Sequence, residues 1–176
     1  MANRVFQPFP LDMLEWNPSE RIGTEGVAII TETPDRQNAM ANHNGGIGTL
    51  WGVPMFYTFI RNTRYTKELM DQSVKFSACF FDQNEKATKS IMKILNVTSG
   101  RTEDKIKELH LNIEHAHDVP YVEEANFIIL CEKVATIPIN ETMINDRAIM
   151  ERYYSGANSD NFHTLYIGRI IEAMAR

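Results

Sequence analysis

Six strand-like apolar segments run along this chain, and helices do not alternate regularly with them. They are residues 26–33 (GVAIITET), 37–42 (QNAMAN), 55–60 (MFYTFI), 74–81 (VKFSACFF), 125–137 (ANFIILCEKVATI) and 163–175 (HTLYIGRIIEAMA). β-Branched and aromatic residues enrich them, and Gly, Pro, Asn and Asp punctuate the gaps. A doubly wound parallel sheet needs a crossover helix between successive strands, so that architecture is disfavoured. An antiparallel β-barrel with helical additions fits the order. Val74, Phe76, Ala78 and Phe80 alternate, which predicts a strand with one face on the core.

Local signals place the remaining elements. Residues 43–46 (HNGG) read as a turn. Thr63 or Thr66 is positioned to cap a short helix through RYTKELMD. Ala87, Ile91, Ile94 and Leu95 share helical spacing within residues 84–95. Acids follow Thr102, as at a helix N-terminus, and NDRAIMERYY predicts a helical turn or two. Pro8, Pro10 and the stretch WNPSE predict an irregular lead-in over residues 1–24. No internal repeat is present, so residues 1–176 read as one domain.

Charge narrows the partners. Lys plus Arg total 18 against 23 for Asp plus Glu, a net charge of −5. Nucleic-acid binding needs a basic face, so it is not expected. The longest apolar run is FIILC (127–131), far short of a membrane span, and the first residues carry no apolar signal-like region. The expectation is a cytoplasmic protein. Cys79 and Cys131 form no C-x-x-C pair and read as small buried hydrophobes.

Four stretches bear on chemistry. NHNGGIGTLWG lacks the G-x-G-x-x-G spacing and the following helix of a dinucleotide site, and no G-K-[ST] occurs. It reads as a hairpin turn or as a loop whose backbone N–H groups approach a flat ligand. HLNIEHAH holds His110, His115 and His117 but meets no metal template, so it reads as a solvated polar connection; Glu123-Glu124 reads as a solvated turn. IRNTRYT (60–66) concentrates two arginines and two threonines at the end of an apolar strand. A guanidinium fork and hydroxyls suit phosphate, and a helix starting here would add free N–H groups. A solvated turn with surface arginines is the bland alternative.

The ordered set NAMAN, GGIGTLWGVPMFYTFIRNTRYTKELM, FSACFFD, SGRTEDKI, VPYVEEANFIILC and HTLYIGRI resembles the flavin reductase-like, FMN-binding split-barrel family, near its flavoredoxin branch. The likeness runs from about residue 25 to residue 172. It implies a mainly β fold: a six-stranded antiparallel Greek-key split barrel with short flanking helices. It also implies a homodimer with FMN near the subunit interface. On the resemblance, Asn38, Met40, Ala41, Asn42 and His43 border the flavin ring. Arg61, Thr63, Arg64 and Thr66, with Tyr65 beside them, take the FMN phosphate. Ser99, Gly100 and Arg101, followed by Lys105, form a further cofactor-binding loop, and His163 lies near the flavin or nicotinamide as the catalytic candidate. Ala41 and Asn42 stand where Thr and a small residue are usual, and Asn62 stands where Pro is usual.

The implied function is an FMN-dependent oxidoreductase. NAD(P)H would supply electrons, and free flavin, a metal complex or a partner protein would receive them. The rival is an FMN-binding electron carrier without a nicotinamide site.

Overall fold

The computed structural model describes residues 5–176; residues 1–4 of the expected lead-in lie outside the described residues. The strands are β1 (Gln7–Pro8), β2 (Val27–Glu32), β3 (Gln37–Asn42), β4 (Gly45–Leu50), β5 (Val53–Arg61), β6 (Lys75–Phe80), β7 (Ile113–Ala116), β8 (Val119–Val122), β9 (Phe127–Pro138) and β10 (His163–Ala175). The helices are α1 (Tyr65–Gln72), α2 (Lys86–Val97), α3 (Lys105–Glu108) and α4 (Arg147–Tyr153).

One antiparallel sheet has eight strands, in the order β3-β2-β6-β9-β10-β5-β4 with β1 added beside β10; β7 and β8 form a separate hairpin. The expected six-stranded barrel is therefore corrected on two counts. Residues 45–50 are a strand, because Trp51 and Gly52, with φ of 55° and 74°, make the tight turn that returns the chain to β5. The turn expected at residues 43–46 shrinks to His43 and Asn44. In addition, β3 and β4 end the strand path without pairing, so the barrel is open. Asn42 spans that seam. Its buried Nδ2 donates to Thr58 Oγ1 at 2.8 Å and to the carbonyls of Asn44 and Phe59 at 3.1 Å each.

The lead-in is more ordered than its prolines suggest. Phe9 N donates to Ala173 O at 2.7 Å, and the Trp16 ring meets Phe80 and Phe127 at 5.1 and 5.6 Å. Ile22, within a helical stretch at Ser19–Thr24, is buried. Burial of these long-range apolar contacts outweighs the local preference for irregular backbone.

Both faces of the central strands are covered. One face packs Ile29, Met40, Phe56, Ile60, Met70, Phe76, Phe80, Ile129 and Tyr166 together. The other packs Ala28, Ile30, Ala39, Ala41, Cys79, Ile128 and Leu130 against Met92 and Leu95 of α2 and Val119 and Val122 of β8. Two-sided burial explains the continuous apolar run of β2. It also corrects the half-buried reading of residues 74–81, since Ser77 and Cys79 are buried as deeply as Phe76, while Val74 is exposed and precedes the strand. Helix α2 turns Thr88, Met92 and Leu95 inward and leaves Ala87 outside.

The histidine-rich stretch is the β7–β8 hairpin, not an irregular connection. His117 and Asp118, both at positive φ, form its turn, and His115 and His117 meet Glu32 and Glu172 at 2.8 and 3.1 Å. No cluster suited to a metal occurs among the described residues. Glu123 and Glu124 lie in a turn, where Glu124 accepts from the backbone and side chain of Asn112. Both cysteines are free and buried, and burial pushes the Cys79 thiol up to about 11. Among the described residues no helix is long and apolar enough to cross a membrane.

Candidate functional site

Strand β5 ends at Arg61 and the chain turns at once into α1, with Arg64 N donating to Arg61 O at 3.0 Å. Neither expected threonine caps the helix. Arg64 occupies the cap position with extended backbone, and its side chain makes no capping bond. Lys67 N donates to Arg64 O at 3.0 Å, so the N–H groups of Tyr65 and Thr66 are the first-turn donors left unfilled at this end. Thr66 lies inside the first turn, buried, and its hydroxyl accepts from Asn38 Nδ2 at 2.8 Å, which leaves its own proton to donate.

The helix expected after Thr102 begins later, at Lys105, because Asp104 caps it by accepting from Lys107 N at 3.1 Å. That start turns Lys105 inward. Only 3% of Lys105 is exposed, and its Nζ donates to Leu95 O at 3.3 Å. Arg64 Nη1 donates to Asn96 O at 3.1 Å. Both cations thus sit at the carbonyl end of α2, where its dipole favours positive charge. Burial, followed by repulsion from Arg64, pushes Lys105 down to about 8.

Between these groups lies a cavity of about 380 Å³. It is lined by Asn38, Met40, Arg61, Thr63, Arg64, Tyr65, Thr66, Ser99, Gly100 and Lys105 from the expected set, and by Val97, Thr98, Asn158 and Asn161. No carboxylate lines it. Gly100 keeps it open: a Cβ there would meet Asn38 Oδ1 at 2.3 Å and Tyr65 Cδ1 at 2.7 Å. A smaller cavity of about 90 Å³ shares Met40, Arg61 and Arg64 with the first and adds Ala41, Asn42, His43 and His163. A third, of about 440 Å³, shares His43, Asn44, Phe59 and His163 with the second and is walled by Ile139, Ile149, Tyr153 and Tyr154. The three make a trough with a cationic end and an apolar, aromatic end.

Several of the expected residues have partners of their own. Arg101 does not line the trough; its guanidinium donates to Thr63 O at 2.8 Å, pairs with Glu68 and lies over the Tyr65 ring at 5.8 Å. Arg61 spends two donors on the segment after β9, at Asn161 O (2.8 Å) and Tyr153 O (3.1 Å). Ala41 packs into the core, Asn42 is consumed by the barrel seam, and His43 is exposed beside Gly26. Tyr65 OH accepts from Arg36 at 3.1 Å. His163 pairs across the sheet with Arg61, and its Nδ1 meets Tyr154 OH at 2.7 Å. Burial and the Arg61 charge push His163 down to about 4, so the ring is neutral at physiological pH. Asn158, Asn161 and Tyr154 were not singled out from the sequence. They sit in a polar segment with no motif, and only the return of β10 beside β5 brings them here.

The architecture is an open antiparallel sheet with a cationic trough at its rim, not a doubly wound dinucleotide fold. The chain belongs to the flavin reductase-like domain family, whose model matches residues 21–176. Its structure is similar to a flavoredoxin from Methanosarcina acetivorans, at 16% identity over 86% of this chain and 68% of that one, with a TM-score of 0.66. It is also similar to an FMN-binding domain of flavin reductase-like enzymes from Shewanella baltica, at 13% identity over 99% and 79%, TM-score 0.68. A styrene monooxygenase flavin reductase from Pseudomonas putida S12 aligns at 14% identity over 85% and 79%, TM-score 0.60. These likenesses are of fold. No curated protein matches the sequence.

Proposed function

We propose that this chain binds FMN and works as an NAD(P)H-dependent oxidoreductase of the flavin reductase or flavoredoxin type. Electrons would leave through bound FMN to free flavin, a metal complex or a partner protein. The observation that carries the reading is the carboxylate-free cavity where buried Lys105 and Arg64 face an uncapped helix start. Such a pocket holds unpaired positive charge in a chain of net charge −5, and a phosphate dianion is its natural complement. Domain family and structural neighbours whose names include FMN binding and flavin reduction support the same cofactor.

Arg64, Lys105 and Thr66, with the N–H groups of Tyr65 and Thr66, would hold the phosphate. Met40, Asn42, His43 and His163 would border the ring. When bound, the flavin supplies the hydride and electron chemistry. The chain's own residues bind and orient it and keep a neutral imidazole at the apolar end. On the family resemblance the working unit is a homodimer, which light scattering at known concentration tests.

FMN titration tests the reading directly. A 1:1 complex, followed by bleaching of the flavin band on anaerobic addition of NADH or NADPH within turnover time, is the expected result. Bleaching by dithionite alone would make the chain an electron carrier, and absence of FMN binding would remove the proposal.

A further inference from the structure

The segment between β9 and β10 brings Tyr154 onto His163 in a tightly fixed arrangement. The phenol ring stacks on Phe162 with centroids 4.8 Å apart, and the Arg61 guanidinium lies over it at 5.4 Å. Arg61 also holds the neighbouring Tyr153 carbonyl. With its plane so held, the hydroxyl reaches His163 Nδ1 at 2.7 Å.

The direction of that bond follows from acidity. A phenol is a stronger acid than a neutral imidazole N–H, and imidazole nitrogen is a stronger base than phenol oxygen. Tyr154 O–H therefore donates to Nδ1, and the ring proton sits on Nε2. Among the described residues Nε2 has no hydrogen-bond partner, and His163 lies between the small cavity that holds Arg61 and Arg64 and the larger one walled by Phe59, Ile139, Ile149 and Tyr153, with His43 and Asn44 at their junction. Among the described residues no carboxylate, lysine or arginine lines that larger cavity. The charge nearest the imidazole is Arg61 on β5, which disfavours its protonation.

We propose that Tyr154 is a positioning residue that fixes His163 with Nε2–H turned to this apolar cavity, where it donates to the carbonyl oxygen of an uncharged planar ring. Two sources share that chemistry: the carboxamide of a reduced nicotinamide, and the carbonyl of a quinone-like electron acceptor. A charged metal chelate is a poor fit, because apart from His43 and His163 the described walls offer no lysine, arginine or carboxylate to pair with its charge. The proposal deepens the flavin reading of the same trough and rests on it for the ligand's role, but not for the tautomer.

Histidine-selective ¹⁵N labelling separates the two ring nitrogens and tests the tautomer with and without FMN, using His163→Gln to assign the signal. The expected result is the Nε2–H form in the unmodified protein and a mixture of both forms in Tyr154→Phe. An Nδ1–H form, or a spectrum unmoved by Tyr154→Phe, overturns the proposal whether or not FMN binds. Calorimetry on the FMN-saturated protein then compares 1-benzyl-1,4,5,6-tetrahydronicotinamide, duroquinone and ferric citrate. Saturable binding of the carboxamide identifies a donor site, and of the quinone an acceptor site. Either should weaken about tenfold in Tyr154→Phe, the scale of one hydrogen bond. Binding of ferric citrate alone, binding of none of the three, or binding unchanged in Tyr154→Phe refutes the assignment.

Discussion

The two ends of helix α1 carry similar side chains to opposite effect. At its C-terminal end, Asp71 accepts from Lys67 at 2.6 Å and from Tyr166 OH at 2.5 Å. Lys133 donates to the Met70 carbonyl and lies 5.8 Å from the Tyr166 ring. Burial raises Asp71, yet the bonds from Lys67 and Tyr166 outweigh it and hold the carboxyl below its usual value. At the N-terminal end, Arg64 and Lys105 are turned into a cavity with no carboxylate. The first end is a closed network that stabilises the fold; the second keeps cationic capacity for a ligand. Charge alone does not mark a site, whereas charge without its counter-ion in a concave place does.

The largest expected break in this contrast is Gly100→Val. The added side chain would collide with Asn38 and Tyr65, closing the open end while leaving the Asp71 network intact. FMN binding should fall beyond detection by titration, and overpacking should lower stability by about 1–3 kcal/mol in urea melts. Arg64→Ala follows, with FMN binding weakened by about 1.5–3 kcal/mol, the scale of a charge-assisted hydrogen bond.

Lys105→Met separates the ends by sign. Phosphate affinity should drop by a similar amount, yet the FMN-free protein should melt at a higher temperature, because a desolvated cation has been removed. A loss of both would show that Lys105 serves the fold. Its titration gives a milder version of the test. With Lys105 near 8 in the fold and 10.5 unfolded, the unfolded chain binds more protons between those values, so FMN-free stability should rise with pH across that window. A bound phosphate raises the lysine again. FMN affinity should then be constant between about pH 7 and 8, where the phosphate is a dianion and Lys105 is protonated, and decline above it, by up to about tenfold per pH unit. A flat affinity from pH 7 to 10 would exclude Lys105 from the phosphate site.

The smallest effect belongs to the closed end. Tyr166→Phe should cost about 1–2 kcal/mol of stability by depriving Asp71 of a donor, with FMN affinity unchanged. A change in affinity would mean that the two ends are coupled through α1.

Much of the fold was legible from periodicity, because β2, β5, β6, β9 and β10 bury side chains in runs that local pattern records. The strand β4 was not, since its glycines mask a pairing made possible by the Trp51-Gly52 turn. Nor was the ordering of residues 7–24, which depends on Trp16 and Ile22 finding the distant core. For the candidate site, the cluster IRNTRYT was visible as chemistry, and Gly100 only through the family resemblance. Tyr154 was invisible, because its meaning comes from Phe162, Arg61 and His163 converging on it.

Sequence by itself determined that this chain would build an antiparallel sheet and carry arginine and threonine where β5 gives way to a helix. Tertiary structure alone decided which cations remain available. Arg61 and Arg101 look equivalent to Arg64 in the sequence, but Glu68 pairs with Arg101 outside the trough, whereas Arg61 and Arg64 donate only to backbone carbonyls and line the cavity. Lys105 is turned inward by the Asp104 cap. A side chain's partners are set by which distant segments the folded backbone brings within hydrogen-bond reach, and that information is not local.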